Sequence, residues 1–488
     1  MSSLLSVLQT SANALGVFQA ALNVTANNVA NASTPGYVKQ TQGVQALPWD
    51  PSLGLVGGVS ATQVESARDV YAERAVQVQQ TALGTSQQQV ATLSPIQNSF
   101  DITGTTGIPG ALNKLYSAFS AWGTAPNDGA ARQGVLTAAQ AVSQAFQQQS
   151  NVLDQAASGA DSQLTGLVAQ VNNLAATIQQ NNVQRAQGSG KDPSLDANLY
   201  NALEELSQLV PIQTLQQSDG TTTVLLAGQV PLVVGQLQYQ ISANVAVPGV
   251  PAPTNPSGPP SAQILDSSGR DVTSSITQGQ IGGLLQARNV VLAQLRGDSR
   301  QQGQLNQLAQ SIADRVNALF VAGSIADAVP ASGTNPATPA VAGVPLFTYD
   351  PARPSSIAQS LSVLSTTTAD QLAAIDPGPP EVSNGIPLKL ANLATPQSAA
   401  DEIDNVSYTQ FFGNIAASLG AAISSAQSNQ TTQQGLVTQA QTLRQQTSGV
   451  SLDSEAIKIL EFQRSYQAVS KMVTILDDLT QTVINMIQ

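Results

Sequence analysis

No charged side chain occurs before Lys39, yet over that span apolar positions recur in alternating steps of four and three. Leu4, Leu8, Ser11, Leu15, Phe18, Leu22, Thr25, Val29 and Ala32 form this line. The far end repeats it through Leu452, Glu455, Ile459, Phe462, Tyr466, Val469, Val473, Leu476, Thr480, Val483 and Ile487. Such spacing is the a/d seam of a coiled coil and commits both ends to helices, each roughly 45–55 Å long at about 1.5 Å per residue. An unpaired seam of this kind forgoes ~1.5–3 kcal/mol for each large apolar group left in water. Each end must therefore pair, with the other terminus or with another subunit. Met472, Ile475, Leu479 and Met486 form a second stripe on the last helix, apolar surface for a further partner. The polar seam members Ser11, Thr25, Glu455 and Thr480 weaken the free pair and help fix its register.

Asn27, Asn28 and Asn31 cluster where the first helix ends, before Ser33-Thr34-Pro35-Gly36-Tyr37. Pro35 disfavours helix at Thr34, and Pro-Gly fits the central positions of a type II turn; Val38 to Val44 then reads as extended chain. Amphipathic stretches predict long helices over 66–100, from Asn127-Asp128 to about residue 186, over Leu195–Leu209, from Gly282-Gly283 to Phe320, and from Tyr408 to Leu443. Thr221–Leu226, Leu232–Val234 and Leu237–Ile241 are β-like, and Asp219-Gly220 marks a hairpin turn. A Pro-rich interruption runs from Pro248 to Pro260, and the Ala/Pro/Gly-rich stretch that follows Phe320 has Phe347 and Tyr349 as anchors.

The fold class expected is mainly α with a smaller β portion, in an elongated, discontinuous multidomain chain. A terminal coiled-coil assembly domain takes 1–45 and 448–488, and a middle long-helix bundle takes 46–210, 279–325 and 405–447. A small β-containing insertion (211–278) and an Ala/Pro/Gly-rich outer insertion (326–404) complete it.

Composition removes most chemistries. There is no Cys, so no disulfide, thiol nucleophile or cysteine-held metal; there is no His, so no Ser-His-Asp triad. The net charge of −12, without a basic cluster, gives no drive toward nucleic acid or anionic membrane. No apolar run is long enough to span a membrane, and a charged leader region is missing. The carboxylates of Glu204-Glu205, Asp477-Asp478 and Asp401, Glu402 and Asp404 are adjacent residues that diverge on a helix, so solvated faces are expected. Gly104, Gly107 and Gly110 lack the Lys-Ser/Thr of a phosphate loop and read as a linker. Gly282-Gly283 reads as a turn with close packing, and Arg296-Gly297-Asp298, a short adhesion tripeptide, as part of a helix. No catalytic, metal or cofactor-binding residue is expected.

The run from Ala20 to Tyr37, with Asn27, Asn28, Asn31, Pro35, Gly36 and Tyr37, resembles the N-terminal signature of the flagellar rod/hook axial protein superfamily. Gly449 to Glu455 and Glu461 to Ala468, with Gln463, Tyr466 and Gln467, resemble its C-terminal counterpart. Within that superfamily the chain is most similar to the hook-associated proteins of the hook–filament junction. This similarity rests on Tyr37-Val-Lys-Gln40 (Lys39 in place of the usual Arg), Leu112–Phe119, Pro126-Asn-Asp with Ala131-Arg132, and Gly279–Leu285.

The resemblance implies a structural protein that is not an enzyme, exported uncleaved through the flagellar type III apparatus to the extracellular flagellum. It implies as partners its own subunits in a ring, hook protein, a second hook–filament junction protein, and an export chaperone on the C-terminal helix. The termini are expected to stay disordered until assembly. Alternatives are a hook or distal rod protein, an axial protein with peptidoglycan-hydrolase activity, or a cytosolic helical scaffold. Leu15→Asp or Val473→Asp, each an unpaired charge in the seam, is expected to abolish incorporation into flagella while the central region still folds. Normal incorporation of either variant, assayed in sheared flagella, would contradict the seam.

Overall fold

The computed structural model describes residues 2–50, 55–189, 192–245, 255–327 and 339–487. Helices dominate. In chain order they are α1 (Ser2–Ala30), α2 (Val70–Gln97), α3 (Gly107–Thr124), α4 (Gly129–Gln184) and α5 (Pro193–Leu209). They continue as α6 (Gly279–Gln286), α7 (Ala293–Arg296), α8 (Gln304–Ala322), α9 (Ile357–Ser360), α10 (Gly385–Ala391), α11 (Tyr408–Ser448) and α12 (Leu452–Ile487). Strands are short and antiparallel. The fold is therefore mainly α with a smaller β portion. Contacts divide it into two compact units, one of Met1–Leu83, Val171–Gln240 and Thr432–Gln488, the other of Gly84–Gln170 and Ile241–Thr431.

In the first unit, α1 packs along α12. A hairpin follows α1, built from β1 (Gln40–Thr41), β2 (Val44–Ala46), β3 (Trp49–Asp50), β4 (Leu55–Val56), β5 (Val59–Ala61) and β6 (Glu65–Ser66), paired β1–β6, β2–β5 and β3–β4. Behind α5 lies a sheet of order β10-β9-β8-β7: β7 (Ile212–Gln216), β8 (Thr222–Leu226), β9 (Val230–Val234) and β10 (Leu237–Gln238). The expected third β run shortens to Leu237–Gln238. Asp219 Oδ1 accepts from Thr221 N at 2.9 Å, and Gly220 takes φ +82°, which makes the turn into β8. Asn182 of α4, fully buried, accepts from Thr222 N at 2.9 Å and donates to Thr222 O at 2.8 Å and Gly235 O at 2.7 Å, tying α4 to the sheet.

The second unit has one apolar core. Trp122 stacks on Phe320 with ring centroids 6.0 Å apart, Phe119 tilts against the same ring at 6.2 Å, and Phe100 stacks on Phe412 at 5.6 Å. Phe347 is buried in this core, and Tyr349 donates to Asp314 Oδ1 at 2.7 Å, so the stretch after α8 is anchored where the aromatics predict. Part of that stretch, 328–338, and most of the Pro-rich interruption, 246–254, lie outside the described residues.

Four local readings need correction. The helix expected to run unbroken to Phe320 is interrupted: α6 leads into a π-helical turn (Ala287–Leu292) and α7, and the chain turns out at Gly297 before α8 starts. Gly297 and Gly303 both have positive φ, and a Cβ on Gly297 would lie 2.0 Å from Gln302 O, so the apolar rhythm crosses a backbone that only glycine can bend. Arg296-Gly297-Asp298 is thus a turn rather than helix, but it offers no adhesion tip: Arg296 pairs with Asp154, and Asp298 is buried, accepting from Arg300 N and Gln301 N. Nor are the glycines near 104 a linker. Asp101 caps the loop by accepting from Thr103 N at 2.8 Å, and Gly107 and Gly110 already belong to α3. Gly282-Gly283 lies inside α6 rather than in a turn, while its close packing holds: a Cβ on Gly283 would meet Thr85 O at 2.3 Å.

Phe320→Ala is expected to destabilise the second unit by about 3–5 kcal/mol, because the Trp122 and Phe119 rings lose the partner they share. Its exposed neighbour Val321→Ala should cost little. Calorimetric melting of the two variants checks this; equal effects would contradict the packing.

Candidate functional site: the paired terminal helices

Two contacts set the register of the terminal helices. Asn28 Nδ2 donates to Glu455 Oε2 at 2.8 Å, and Ser11 Oγ donates to Met472 Sδ at 3.8 Å. Going from 28 to 11 and from 455 to 472, the helices advance equally in opposite senses, so they are antiparallel and in phase. This register puts Ala14 level with Val469 and Ala21 level with Phe462.

On α1 the fully buried line is Ser11, Ala14, Ala21, Thr25 and Asn28. Leu8, Leu15, Phe18 and Leu22 flank it, partly buried, while Val29 is exposed. Small residues on α1 thus admit large ones from α12, and the Leu side chains wrap the edge of the contact. On α12, Glu455 is fully buried; Ile459, Phe462, Tyr466, Val469, Val473, Leu476 and Thr480 are partly buried; Val483 is exposed. The side chains of Leu4 and Ile487 lie outside the described residues. Gln463 and Gln467 are exposed on α12.

The Asn-rich segment has a distinct job for each residue. Asn31 donates to Asn27 O at 3.0 Å and Asn27 Oδ1 at 2.8 Å, closing the end of α1. Tyr37 N donates to Thr34 O at 3.1 Å across Pro35-Gly36, and Gly36 takes φ +73°, the type II turn that Pro-Gly predicts. A Cβ on Gly36 would lie 2.4 Å from Ala197 O, so glycine is also required for the approach of α5.

Asn28 is the centre. Besides Glu455, its amide donates to Gln40 O at 2.8 Å, and its Oδ1 accepts from Gln40 N at 2.9 Å and from the Tyr37 hydroxyl at 3.0 Å. All four hydrogen-bonding places of the amide are filled at zero exposure. Burial, and then the charge of Glu455, push the Tyr37 hydroxyl above its ordinary pKa. It therefore stays neutral and donating below the usual tyrosine range, and its contribution is lost as pH climbs through the raised value. Lys39 and Lys458 each place Nζ 3.4 Å from Glu455 Oε1. Lys39 N donates to Ser448 O at 3.0 Å and Asp69 N to Ser448 Oγ at 3.0 Å, fastening the joint between α11 and α12.

A second layer of charge supports the turn. Arg68 donates to Gly36 O at 2.7 Å, lies 3.8 Å over the Tyr200 ring, and pairs with Asp196 at 2.9 Å and with Glu73. Arg444 bridges Glu73 at 3.1 Å and Glu204 at 2.6 Å, and Arg185 reaches Asp196 at 3.3 Å. Sequence reasoning missed Arg68, Glu73, Asp196, Arg444 and Ser448. The available signal was their scarcity: ionic side chains are few in this chain, and several are buried here. Glu204, weighed as a catalytic carboxylate, is tied to Arg444, while Glu205 accepts from Asn201 at 2.9 Å. Among the described residues no His, Cys, Asp or Glu group is placed to hold a metal ion, and no helix is long and apolar enough to cross a membrane.

Comparison with known proteins points the same way at both ends and in the middle. Residues 8–37 match the family model of the flagella basal body rod protein, 442–486 that of the flagellar basal body rod FlgEFG protein C-terminal, and 93–331 that of the flagellar hook-associated protein FlgK helical domain. Flagellar hook-associated protein 1 of Bacillus subtilis is 24% identical, over 99% of this chain and 99% of its own length. Its counterpart in Salmonella typhimurium is 26% identical, over 67% of this chain and 58% of its own length. The flagellar hook junction protein FlgK from Burkholderia pseudomallei shares the fold, with a TM-score of 0.61 at 17% identity over 77% of this chain and all of that one.

Asn28→Ala is expected to cost on the order of 2–4 kcal/mol, since Gln40 N–H, Tyr37 OH and Glu455 are left short of partners at ~1–3 kcal/mol each with partial relaxation. Amide hydrogen exchange should show α1 and α12 losing protection while α8 keeps its own. Unchanged protection of α1 would contradict the role given to Asn28.

Proposed function

Because the chain belongs to the flagellar hook-associated proteins, we propose that it joins hook to filament by polymerising through its terminal helices after type III export. It is a structural component of the bacterial flagellum. The junction assignment is supported by the helical-domain match over 93–331. The observation that carries the assembly reading is the terminal pair itself, a register-locked seam on one face of α12 that α1 covers in part, with an exposed apolar stripe on another. Such a helix is held in place within its own chain and still has surface for neighbours.

In this reading the subunits form a ring between hook protein and a second junction protein. Before export the exposed stripe of α12 is the surface a cytoplasmic chaperone covers, and the uncleaved chain ends in the extracellular flagellum. Ordering of the terminal pair coincides with assembly, so that its ordering cost is met by neighbours and premature polymerisation is suppressed. What supports this coupling is the incomplete burial of the α12 seam, where Phe462, Val469 and Val473 are only partly covered by α1. The absence of cysteine suits export to an oxidising exterior.

A hydrolase reading has little to stand on, since Glu204 is neutralised by Arg444 and Glu205 faces away from it to Asn201. A catalytic carboxylate pair needs two groups converging on one bond.

Deletion of the gene in its own organism is expected to give cells with hooks, without filaments, that release flagellin into the medium. Electron microscopy and the culture supernatant read this out. Filaments of normal number would overturn the junction role, and missing hooks would place the chain lower on the axis, as a rod or hook protein.

A further inference from the structure

An amide yields to an amine only where its carbonyl is polarised, the amine is held nearby and a third group stands ready to move protons. The surroundings of Asn28 supply all of these. Its Oδ1 accepts from Gln40 N at 2.9 Å and from the Tyr37 hydroxyl at 3.0 Å. Two donors on one carbonyl oxygen draw electrons from Cγ and would hold the charge that grows on that oxygen during attack. Its Nδ2 donates to Glu455 Oε2 at 2.8 Å, so a proton carrier already touches the nitrogen that would leave. The other oxygen of the same carboxylate lies 3.4 Å from Lys39 Nζ, a primary amine. Asn28 and Glu455 have zero exposure, which keeps water from competing with that amine, while the Lys39 side chain reaches solvent over 23% of its surface.

Lys458 Nζ is equally far from Glu455 Oε1. The backbone favours Lys39, because the residue that follows it is bound to both ends of the amide: Gln40 N to Oδ1, and Gln40 O to Nδ2 at 2.8 Å. Lys39 is thereby fixed beside the Asn28 side chain, whereas Lys458 meets the site through Glu455, three positions back on α12.

We propose that Lys39 and Asn28 join in an isopeptide bond, with Glu455 as the catalytic residue. Lys39 Nζ gives a proton to Glu455 and attacks Cγ; the Nζ–Cγ bond forms and the Cγ–Nδ2 bond breaks. Of the three protons on the lysine ammonium, one stays on the new amide. The other two are carried by Glu455 to Nδ2, which already bears two, and the nitrogen leaves as ammonium. Glu455 ends as it began, and nothing is oxidised or reduced. Glu455 comes from the far end of the chain, so the bond forms only after α1 and α12 have paired, and an unfolded chain cannot make it. In a chain without cysteine it supplies a covalent tie that no disulfide can, closing the loop that holds the Pro35-Gly36 turn. The proposal stands apart from the junction role, since it needs only the folded terminal pair.

Mass spectrometry of the full wild-type chain, both purified and recovered from sheared flagella, tests it. The major species is expected to be lighter than the sequence by one ammonia, to resist trypsin after Lys39, and to give fragments in which residues 28 and 39 are joined. Lys39→Arg keeps the charge but removes the primary amine, and it should restore the full mass. Asparagine can also shed ammonia by closing on its own backbone, a reaction that needs no lysine. A loss that persists in Lys39→Arg therefore overturns the proposal, as does a bond to Lys458 in place of Lys39. Full mass in both wild-type samples overturns it as well. Absence of the chain from flagella bears on the junction role alone and leaves the purified chain to decide.

Discussion

The hydrogen bond from Asn28 to Glu455 joins residues 427 apart in sequence at a point where neither side chain touches water. Apolar seams are permissive: a slide of one heptad buries nearly as much surface, so burial alone leaves several registers close in energy. A buried carboxylate with one complementary amide is not permissive, since any slide strands a charge in a dry place. From that one contact the first unit is assembled outward. Tyr37 and Gln40 are held on the same amide, the strand leaving them enters the hairpin that lies on α1, and Lys39 ties to both Glu455 and the end of α11.

The same logic explains how a charge-poor chain uses its charges. Only 10% of residues are ionic, yet the side chains of Arg68, Glu73, Arg185, Asp161, Arg288 and Glu455 are buried. Buried pairs stabilise little, because desolvation offsets their attraction, but they discriminate strongly between partners. A unit made of three separate stretches of chain needs such discrimination. Arg444 from the last stretch meets Glu73 from the first and Glu204 from the middle one, so the ion pairs specify which segment meets which. In the second unit Arg288, on the π-helical turn, forks onto Asp161 at 2.8 and 3.1 Å in the same manner.

The terminal pair is built to be held and yet incomplete. α1 contributes its small residues to the contact, so α12 comes close, but one helix covers only one face of another. The apolar residues left over on α12 run along its length rather than in a single spot. For an isolated molecule this is a liability; in the assembly proposed above it is the surface that neighbours would cover.

Periodicity and turn chemistry made the terminal helices, several long interior ones and the Pro35-Gly36 turn legible in sequence, because these depend on residues within a few positions of each other, whereas α3, α9 and α10 carried no rhythm that announced them. On α12 the a/d line is partly buried apart from the buried Glu455 and the exposed Val483; on α1 the line's Ser11 and Thr25 are buried, whereas Leu8, Leu15 and Leu22 flank a contact centred on Ala14 and Ala21. Which side of an apolar stripe faces inward depends on the size of what arrives from the partner, and no local pattern encodes that. Gly297 and Gly303 broke a helix whose apolar spacing was otherwise intact, because two backbone segments cross there. The sequence by itself thus determined that two long seams must pair and that no histidine or cysteine chemistry is possible. Tertiary structure alone decided that Asn28 answers Glu455 and that the buried side chain of Arg68 and the partly buried one of Arg444 meet carboxylates, since desolvation and pairing arise only when distant segments exclude water together.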